Sequence, residues 1–433
     1  MTRDAWPTFV VLAALAACAN FDRDVDAGSP LDAPPSVTPP GDALEGVTAL
    51  SAGLAHTCAV RGGVAWCWGR ANLGQTGTTV TQTCGPMSCT PYARAVAGAA
   101  GLAQVGAATL STCALDGGGR VFCWGSNQYG QAGLTEVTRV DTPAAVPMLP
   151  QVDALAVGGA HACARTPAGA VYCWGYGEIG QFGDGPPSRA PRQATRVAAL
   201  EGARRIYSGD AHGCAIMTSG QVLCWGATAA GQAGEAPGEA CTATLLGDWP
   251  TRCRPTAAAL PSFASAVEEL ALGFNHTCAR LADGSVWCWG SNERSQLGGD
   301  AGGDRCVIPN DSSATRSVSC SAAAVRVAGL GAVARIWSGS RADHTCARLR
   351  VGGLRCWGAN GGVQLGDGTA ADSLTPRAVE GVGAVIEVAA GEAHTCAVVQ
   401  GGRVLCWGDN AVGQLGQGDS ARVSGLVFVR RAP

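Results

Sequence analysis

Each histidine in this sequence precedes a cysteine by two residues, a spacing that suits a metal site. The six histidines are His56, His161, His212, His276, His344 and His394. Residues two apart on a β-strand share a face, so the imidazole and the thiolate would project together. With the second cysteine that follows each motif they would form a His-Cys-Cys zinc site, one ligand short of a structural site. The other interpretation, which the sequence favours, is a structural histidine beside a disulfide.

The element that positions these residues is a β-hairpin. The last copy runs from His394 to Gly408 and places β-rich arms on either side of Gly401-Gly402, which predicts two strands joined by a tight turn. The first copy is one residue shorter, and the deletion falls in its turn at Gly62-Gly63. Because both cysteines remain opposite one another, the spacing indicates a cross-strand disulfide. The remaining copies begin at Ser111 and at the other histidines, and every copy ends in Cys-Trp-Gly.

Cysteine usage indicates an oxidising compartment. Twenty of the 21 cysteines fall into local pairs, seven in the hairpins and three in longer segments between them. We therefore predict disulfides and no bound metal or cofactor. The predicted pairs are Cys58 with Cys67, Cys84 with Cys89, Cys113 with Cys123, Cys163 with Cys173, Cys214 with Cys224, Cys241 with Cys253, Cys278 with Cys288, Cys306 with Cys320, Cys346 with Cys356, and Cys396 with Cys406.

The remaining cysteine, Cys18, follows an apolar segment that is too short to span a bilayer as a helix. Leu15-Ala16-Ala17-Cys18 resembles the lipobox of bacterial lipoproteins, in which the cysteine is lipidated and becomes the mature N-terminus. We predict a signal peptide over residues 1–17 and a lipid-anchored, Pro/Asp-rich linker over 18–46. The expected location is the outer membrane, facing the periplasm or the cell surface, and plain secretion is the alternative.

The seven hairpins belong to one repeat array over residues 47–433. A Gln-x-Gly follows every Trp-Gly, then come a strand near a proline, an apolar strand and the next cassette, with a period of about 50 residues once insertions are removed. This order resembles the regulator of chromosome condensation repeat family. The resemblance implies an all-β, seven-bladed β-propeller. From the incomplete units at both ends we expect the C-terminal strand to pair with the N-terminal strands and complete the seventh blade.

Composition and motifs argue against several functions. The net charge is −3 and the sequence contains no lysine, so there is neither a basic footprint for nucleic acid nor a P-loop. No His-Glu-x-x-His or Gly-x-Ser-x-Gly motif is present, and we predict a protein that is not an enzyme. The family includes a nuclear exchange factor for a small GTPase, so an exchange-factor role is implied by resemblance only.

Function is expected where the blades differ. Insertions at about 78–92, 235–256 and 299–322 occupy the same position in their repeats and should emerge on one face of the disc. They carry Trp249, Arg252, Arg254 and Arg305, residue types that recognition surfaces favour. We predict a monomeric, envelope-anchored scaffold that binds an unknown protein partner there. A carbohydrate-binding or glycan-hydrolysing propeller and a purely structural envelope component are the alternatives.

Overall fold

The computed structural model describes residues 40–79, 82–185, 188–234, 238–243, 249–309, 315–423 and 425–432. The predicted signal peptide, Cys18 and the linker up to residue 39 lie outside the described residues. Within the described part the only helix is the single 3-10 turn Ala198–Leu200. None of these residues forms a helix long and apolar enough to cross a bilayer.

The described strands form seven antiparallel sheets, each of them one blade of a propeller. Blades 1, 4 and 5 have five strands and the others have four. The strands of blades 1 to 3 are β1 (Val47–Ala52), β2 (His56–Arg61), β3 (Val64–Arg70), β4 (Gln82–Cys84) and β5 (Met87–Ala95); β6 (Leu102–Ala107), β7 (Ser111–Asp116), β8 (Val121–Ser126) and β9 (Arg139–Ala145); β10 (Ala154–Val157), β11 (His161–Arg165), β12 (Val171–Gly177) and β13 (Ser188–Arg196).

Blades 4 to 7 continue the same order around the ring. Their strands are β14 (Ala203–Ser208), β15 (His212–Met217), β16 (Val222–Ala227), β17 (Glu239–Ala243) and β18 (Trp249–Ala259); β19 (Val267–Leu272), β20 (His276–Leu281), β21 (Val286–Ser291), β22 (Arg305–Pro309) and β23 (Thr315–Arg326); β24 (Val333–Trp337), β25 (His344–Leu349), β26 (Leu354–Gly358) and β27 (Ser373–Ala378); β28 (Val385–Ala390), β29 (His394–Val399), β30 (Arg403–Gly408) and β31 (Val427–Phe428).

Two faces follow from this antiparallel order. The loops between the first and second strands of a blade, and those after its third strand, lie on one face, which we call the insertion face. The tight turns between second and third strands lie on the opposite face, which we call the turn face. In blade 7 these are loops 391–393 and 409–426 on the insertion face and the turn 400–402 on the turn face.

Each cassette forms the hairpin that its spacing predicts. Cys396 is directly opposite Cys406, and Gly401 and Gly402 turn the chain with φ values of +87° and +71°. Glycine adopts these values without the steric cost that a Cβ atom imposes. The shorter first copy keeps Cys58 opposite Cys67. The deletion is therefore absorbed in the turn, as the sequence indicates.

The glycine of Cys-Trp-Gly is required by close packing. The pairing of β3 with the fourth strand of blade 1 shifts register between Cys67 and Gly69, and Gly69 has a φ of +96°. A Cβ atom at Gly69 would lie 2.6 Å from the Ala55 carbonyl oxygen, which a normal contact does not allow. The preceding tryptophan is fully buried against the neighbouring blade in each repeat. The core of the molecule thus lies between the blades, in seven similar layers.

The predicted manner of ring closure is not confirmed. Each blade consists of consecutive strands, and the C-terminal strand β31 pairs with β30 inside blade 7, so none of the described strands completes a blade shared between the two ends of the chain. The terminal segments do meet at the seam of blades 7 and 1. The Leu44 N–H donates to the Val429 carbonyl at 2.8 Å, and the Ala93 N–H donates to the Arg430 carbonyl at 2.9 Å. Sequence pattern did not distinguish a shared blade from two complete blades that abut.

Candidate interaction surface

All ten cysteine pairs predicted from sequence are disulfides in the structure. Seven of them cross the cassette hairpins, where the bonded cysteines have Cα atoms only 4.0–4.1 Å apart and are almost fully buried. These seven are Cys58 with Cys67, Cys113 with Cys123, Cys163 with Cys173, Cys214 with Cys224, Cys278 with Cys288, Cys346 with Cys356, and Cys396 with Cys406. The three bridges of the insertions join Cys84 with Cys89, Cys241 with Cys253, and Cys306 with Cys320.

The disulfides remove the alternative zinc site. In each hairpin the two sulfur atoms are bonded to each other, so a His-Cys-Cys site would lack two of its ligands. Within the described residues no cluster of three or more His, Cys, Asp or Glu side chains is arranged for a metal ion. The histidine of each cassette therefore needs an explanation other than metal binding.

The cassette tryptophans join each blade to the one before it. In every repeat the indole Nε1–H donates to the backbone carbonyl of the Gln-x-Gly glutamine in the preceding blade, at 2.7–3.2 Å. Trp68 of blade 1 donates to Gln414 of blade 7, so the seam that closes the ring has the same hydrogen bond. These buried donors are therefore satisfied inside the protein. The tryptophans form seams and are not a binding platform.

Five seams carry an additional contact, which we call the histidine latch. The latch joins a cassette histidine Nε2 to the hydroxyl of the threonine that follows the first cassette position in the next blade, at 2.8–2.9 Å. In Thr112, Thr277 and Thr395 the hydroxyl also donates to a glutamine carbonyl, at 2.8–3.0 Å. A carbonyl only accepts, so at these three seams the histidine Nε2 must carry the proton and donate it.

The latch is missing on both sides of blade 3. At the seam of blades 2 and 3, Ser111 replaces the histidine and Ala162 replaces the threonine. At the next seam His161 faces Gly213, and neither imidazole nitrogen of His161 has a hydrogen-bond partner among the described residues. Similar cassettes therefore form two kinds of seam, with and without the latch. The residue after each histidine is the sequence signal that distinguishes the two kinds.

The histidines are neutral, structural groups. Burial lowers the pKa of His56 to about 3 and that of His394 to about 4. An imidazole with such a pKa stays neutral and does not titrate near pH 7. Since all six histidines are fully enclosed in the seams, they have no access to a substrate.

The lining of the central channel includes two carboxyl groups. The inner strands enclose a cavity of about 340 Å³, lined among others by Glu269 and Glu387. Glu269 accepts hydrogen bonds from Arg335 Nε at 2.7 Å and from Arg280 Nε at 3.3 Å, so guanidinium groups already occupy its carboxylate. Burial raises the pKa of Glu387 to about 7. A glycosidase requires two available carboxyl groups, and the carboxylate of Glu269 is engaged in ion pairs with Arg280 and Arg335.

The three insertions form hairpins that extend blades 1, 4 and 5 on the insertion face. Strands β4, β17 and β22 each pair with the lengthened fourth strand of their own blade. Two hairpins also pack on the preceding blade. Cys241 and Cys253 lie against Ile179 of blade 3, and Ile308 and Val318 lie against Ala230 of blade 4. The loops are therefore fixed by a disulfide and, in blades 4 and 5, by a small apolar core.

The structure separates the four residues predicted to bind a partner. Arg252 and Arg305 are exposed, and the Arg305 guanidinium donates to the Ser317 carbonyl at 2.9 Å. Arg254 is only 7% exposed and donates to the Ala233 carbonyl at 2.8 Å, so it supports the loop from within. Trp249 begins β18, but its side chain lies outside the described residues.

Sequence analysis missed a cationic group over the channel. The loop before His344 is two residues longer than the equivalent loop of the other blades and carries Arg341. Arg341 lies over the Phe274 ring, 4.3 Å from its centroid, and its Nη1 is 3.3 Å from an Asp210 carboxylate oxygen. One side chain thus spans three blades at the centre of the insertion face. The longer spacing was the available signal.

Family models for the regulator of chromosome condensation (RCC1) repeat match six segments of the chain. One model covers residues 152–181, 203–232, 267–296 and 385–414, and a second covers 118–165 and 352–398. Protein pim1 of Schizosaccharomyces pombe is 28% identical over 241 residues, which are 53% of this chain and 44% of pim1. The human probable E3 ubiquitin-protein ligase HERC6 is 28% identical over 192 residues, 42% of this chain and 17% of HERC6. The chain therefore spans less than half the length of these relatives.

Solved structures show the same fold. Prp20p from Saccharomyces cerevisiae is 19% identical with a TM-score of 0.63, covering 79% of this chain and 80% of that one. Human WBSCR16 is 21% identical with a TM-score of 0.65, covering 82% of this chain and 88% of that one. The chain thus contains regulator of chromosome condensation (RCC1) repeats, and its seven sheets form a seven-bladed β-propeller.

Proposed function

We propose that this protein is an envelope-anchored, non-catalytic scaffold that binds a protein partner through its insertion face. The observation that carries the proposal is the set of three disulfide-linked hairpins, which extend from one face and have exposed side chains on a fixed backbone. A preordered loop loses less conformational entropy on binding than a mobile one. Next to the exposed Arg305, Val307 is 57% exposed on β22, which adds apolar contact area.

The relatives support a role in protein binding. Among similar solved structures, yeast RCC1 (Prp20) is bound to Kap60, and Prp20p from Saccharomyces cerevisiae has binding properties to Gsp1p and histones. We carry over the general use of the propeller as a binding scaffold and none of these partners. Ten disulfides are typical of an extracytoplasmic protein. The proposed site is Trp249 and Arg252 on β18 with Arg305 on β22, while Arg254 holds the loop.

The proposed anchor is a lipid on Cys18, after cleavage of residues 1–17, with residues 18–46 as a tether to the outer membrane. Mass spectrometry of the peptide that begins at Cys18 tests this directly. We expect the mass of a lipidated N-terminal cysteine and its loss in Cys18→Ser. An unmodified mature N-terminus recovered from the medium would indicate secretion instead.

The partner surface is tested by photocrosslinking in intact cells. A photoreactive residue replaces Arg252, Arg305 or Val307, with Ser219 of the turn face as the matched control. We expect a discrete adduct of the same partner from the insertion-face positions and none from Ser219. Equal adducts from both faces, or none from the insertion face, would contradict the proposal. A glycan array on the purified chain examines the carbohydrate-binding alternative.

A further inference from the structure

Two arginines beside the turn of blade 6 lack the acidic partners that several other turn-face arginines have. In blades 2, 3 and 5, Arg120 pairs with Asp116, Arg165 with Asp153, and Arg280 with Glu268 and Glu269. Arg348 and Arg350 of blade 6 have no carboxylate oxygen within 4.0 Å among the described residues. Both are held instead by neutral carbonyls: Arg348 Nη1 donates to Val385 at 2.8 Å and Arg350 Nη2 to Ala282 at 3.2 Å.

Arg348 and Arg350 both line a cavity of about 280 Å³ on the turn face. Its other walls are the Gly352-Gly353 turn and the 383–385 segment of the connection to blade 7, and no acidic residue lines it. A Cβ atom built on Gly353 or Gly383 would meet nothing within 4 Å, so the glycines leave this space open. Guanidinium groups without an acidic partner and with open space beside them suit a planar or tetrahedral oxyanion such as phosphate.

Exposed aliphatic side chains lie beside this cavity in sequence and elsewhere on the turn face. Val351, between the second arginine and the glycine turn, is 90% exposed, and Ile386 at the start of β28 is 51% exposed. Met148, on a connection between blades 2 and 3, is 80% exposed on the same face. A free phosphate ion would make no use of apolar side chains. A phospholipid surface would, because its phosphates lie directly above acyl chains.

We propose that the turn face docks on a bilayer that carries anionic phospholipid, with a lipid phosphate at the cavity that Arg348 and Arg350 line and with Val351 and Ile386 directed to the acyl region. This rests on the proposed envelope location and extends it. The insertion face then points away from the membrane, toward the partner. Each arginine at an anionic surface contributes about a five-fold change in partition.

The test uses the full chain with Cys18→Ser, so that no acyl anchor contributes, and co-sedimentation with phosphatidylcholine vesicles with or without phosphatidylglycerol. We expect binding only with phosphatidylglycerol, weakened about five-fold by Arg350→Gln and also weakened by Val351→Ser. Two matched controls should bind like the parent: Arg120→Gln, a turn-face arginine with an acidic partner, and Val307→Ser, an exposed valine on the insertion face. Thermal melting confirms that all variants fold.

Three outcomes would overturn the proposal: no preference for the anionic vesicles, equal loss in Arg120→Gln and Arg350→Gln, or an unchanged Val351→Ser with full competition by soluble glycerol phosphate. The last outcome would mean a site for free phosphate. All samples carry Cys18→Ser, so a negative result in this experiment does not bear on the lipid anchor or on the partner surface. Those two proposals are tested separately, by the mass measurement and by the crosslinking experiment.

Discussion

At the scale of single residues, one threonine hydroxyl serves two blades. Thr277 of blade 5 accepts a hydrogen bond from His212 of blade 4 at 2.9 Å and donates to the Gln232 carbonyl at 3.0 Å. All three groups are buried, so none of them finds water if the hydroxyl is removed. The hydrogen bonds of this seam therefore depend on the threonine as well as on the histidine.

We predict that Thr277→Val lowers the free energy of unfolding by about 1–3 kcal/mol, because it leaves the His212 Nε2–H and one acceptor unpaired while keeping the volume. Thr277→Ser keeps the hydroxyl and should lose less. Urea denaturation of both variants measures the difference. Equal losses in the two variants would show that methyl packing, rather than the hydrogen bond, stabilises the seam.

The histidines also predict how stability depends on pH. Burial lowers the pKa of all six from 6.5 in the unfolded chain to about 3 or 4 in the folded protein. Below pH 6.5 the unfolded state binds protons that the folded state does not, so stability falls as the pH drops from 6.5 toward 4. Each histidine contributes at most about 1.4 kcal/mol per pH unit.

Three carboxyl groups act in the opposite direction. Burial raises the pKa of Asp210, raises that of Asp343 to about 6 and raises that of Glu387 to about 7, so their stabilising contribution is complete at low pH and is lost as the pH rises through their folded-state pKa values. Six histidines outweigh these three carboxyl groups. We expect the urea midpoint to fall from pH 7 to pH 5 at constant ionic strength. A midpoint that is constant or rises on acidification would show that the histidines are protonated in the folded state.

At the scale of elements, the hairpin was predictable because its evidence is local. Cysteines ten residues apart, a glycine-rich turn and β-rich arms determine which residues face each other, as the Cys278 and Cys288 pair shows. Contacts between elements were harder to predict from the sequence. Arg254 was predicted to face a partner but is buried, because residue type does not reveal which side of β18 packs on the 233–234 turn. The ring closure depended likewise on contacts across nearly the whole chain.

The two classes of disulfide should differ in effect. Replacing Cys278 and Cys288 with alanine removes a bridge from a hairpin that packs against both neighbouring blades, and the loop-entropy model gives a loss of about 2–3 kcal/mol. Replacing Cys306 and Cys320 frees a hairpin that extends beyond its blade. We expect the first pair to lower the melting temperature clearly, and the second to lower it less while reducing crosslinking to the partner. Similar melting curves for both variants would mean that the insertion hairpin is an integral part of the blade.

At the scale of the whole molecule, stability depends on the contact between the two ends of the chain. Leu44, ahead of the first strand, is completely buried and packs in one cluster with Trp68 of blade 1 and Val429 near the C-terminus. This cluster fills the seam of blades 7 and 1. The chain does not continue from blade 7 to blade 1, so no covalent connection holds these two blades together. A ring of seven blades therefore has one seam whose strength depends on segments outside the cassettes.

We predict that Leu44→Ala destabilises the protein by about 2–5 kcal/mol, the cost of removing a fully buried leucine side chain from a packed core. The matched control is Val137→Ala, at a side chain that is 46% exposed, where little change is expected. Hydrogen exchange should locate the loss: amides of β1, β29 and β30 exchange faster in Leu44→Ala, while those of blade 4 on the far side change less. Uniform acceleration in all blades would show that the ring unfolds as one cooperative unit, without preferential opening at its closing seam.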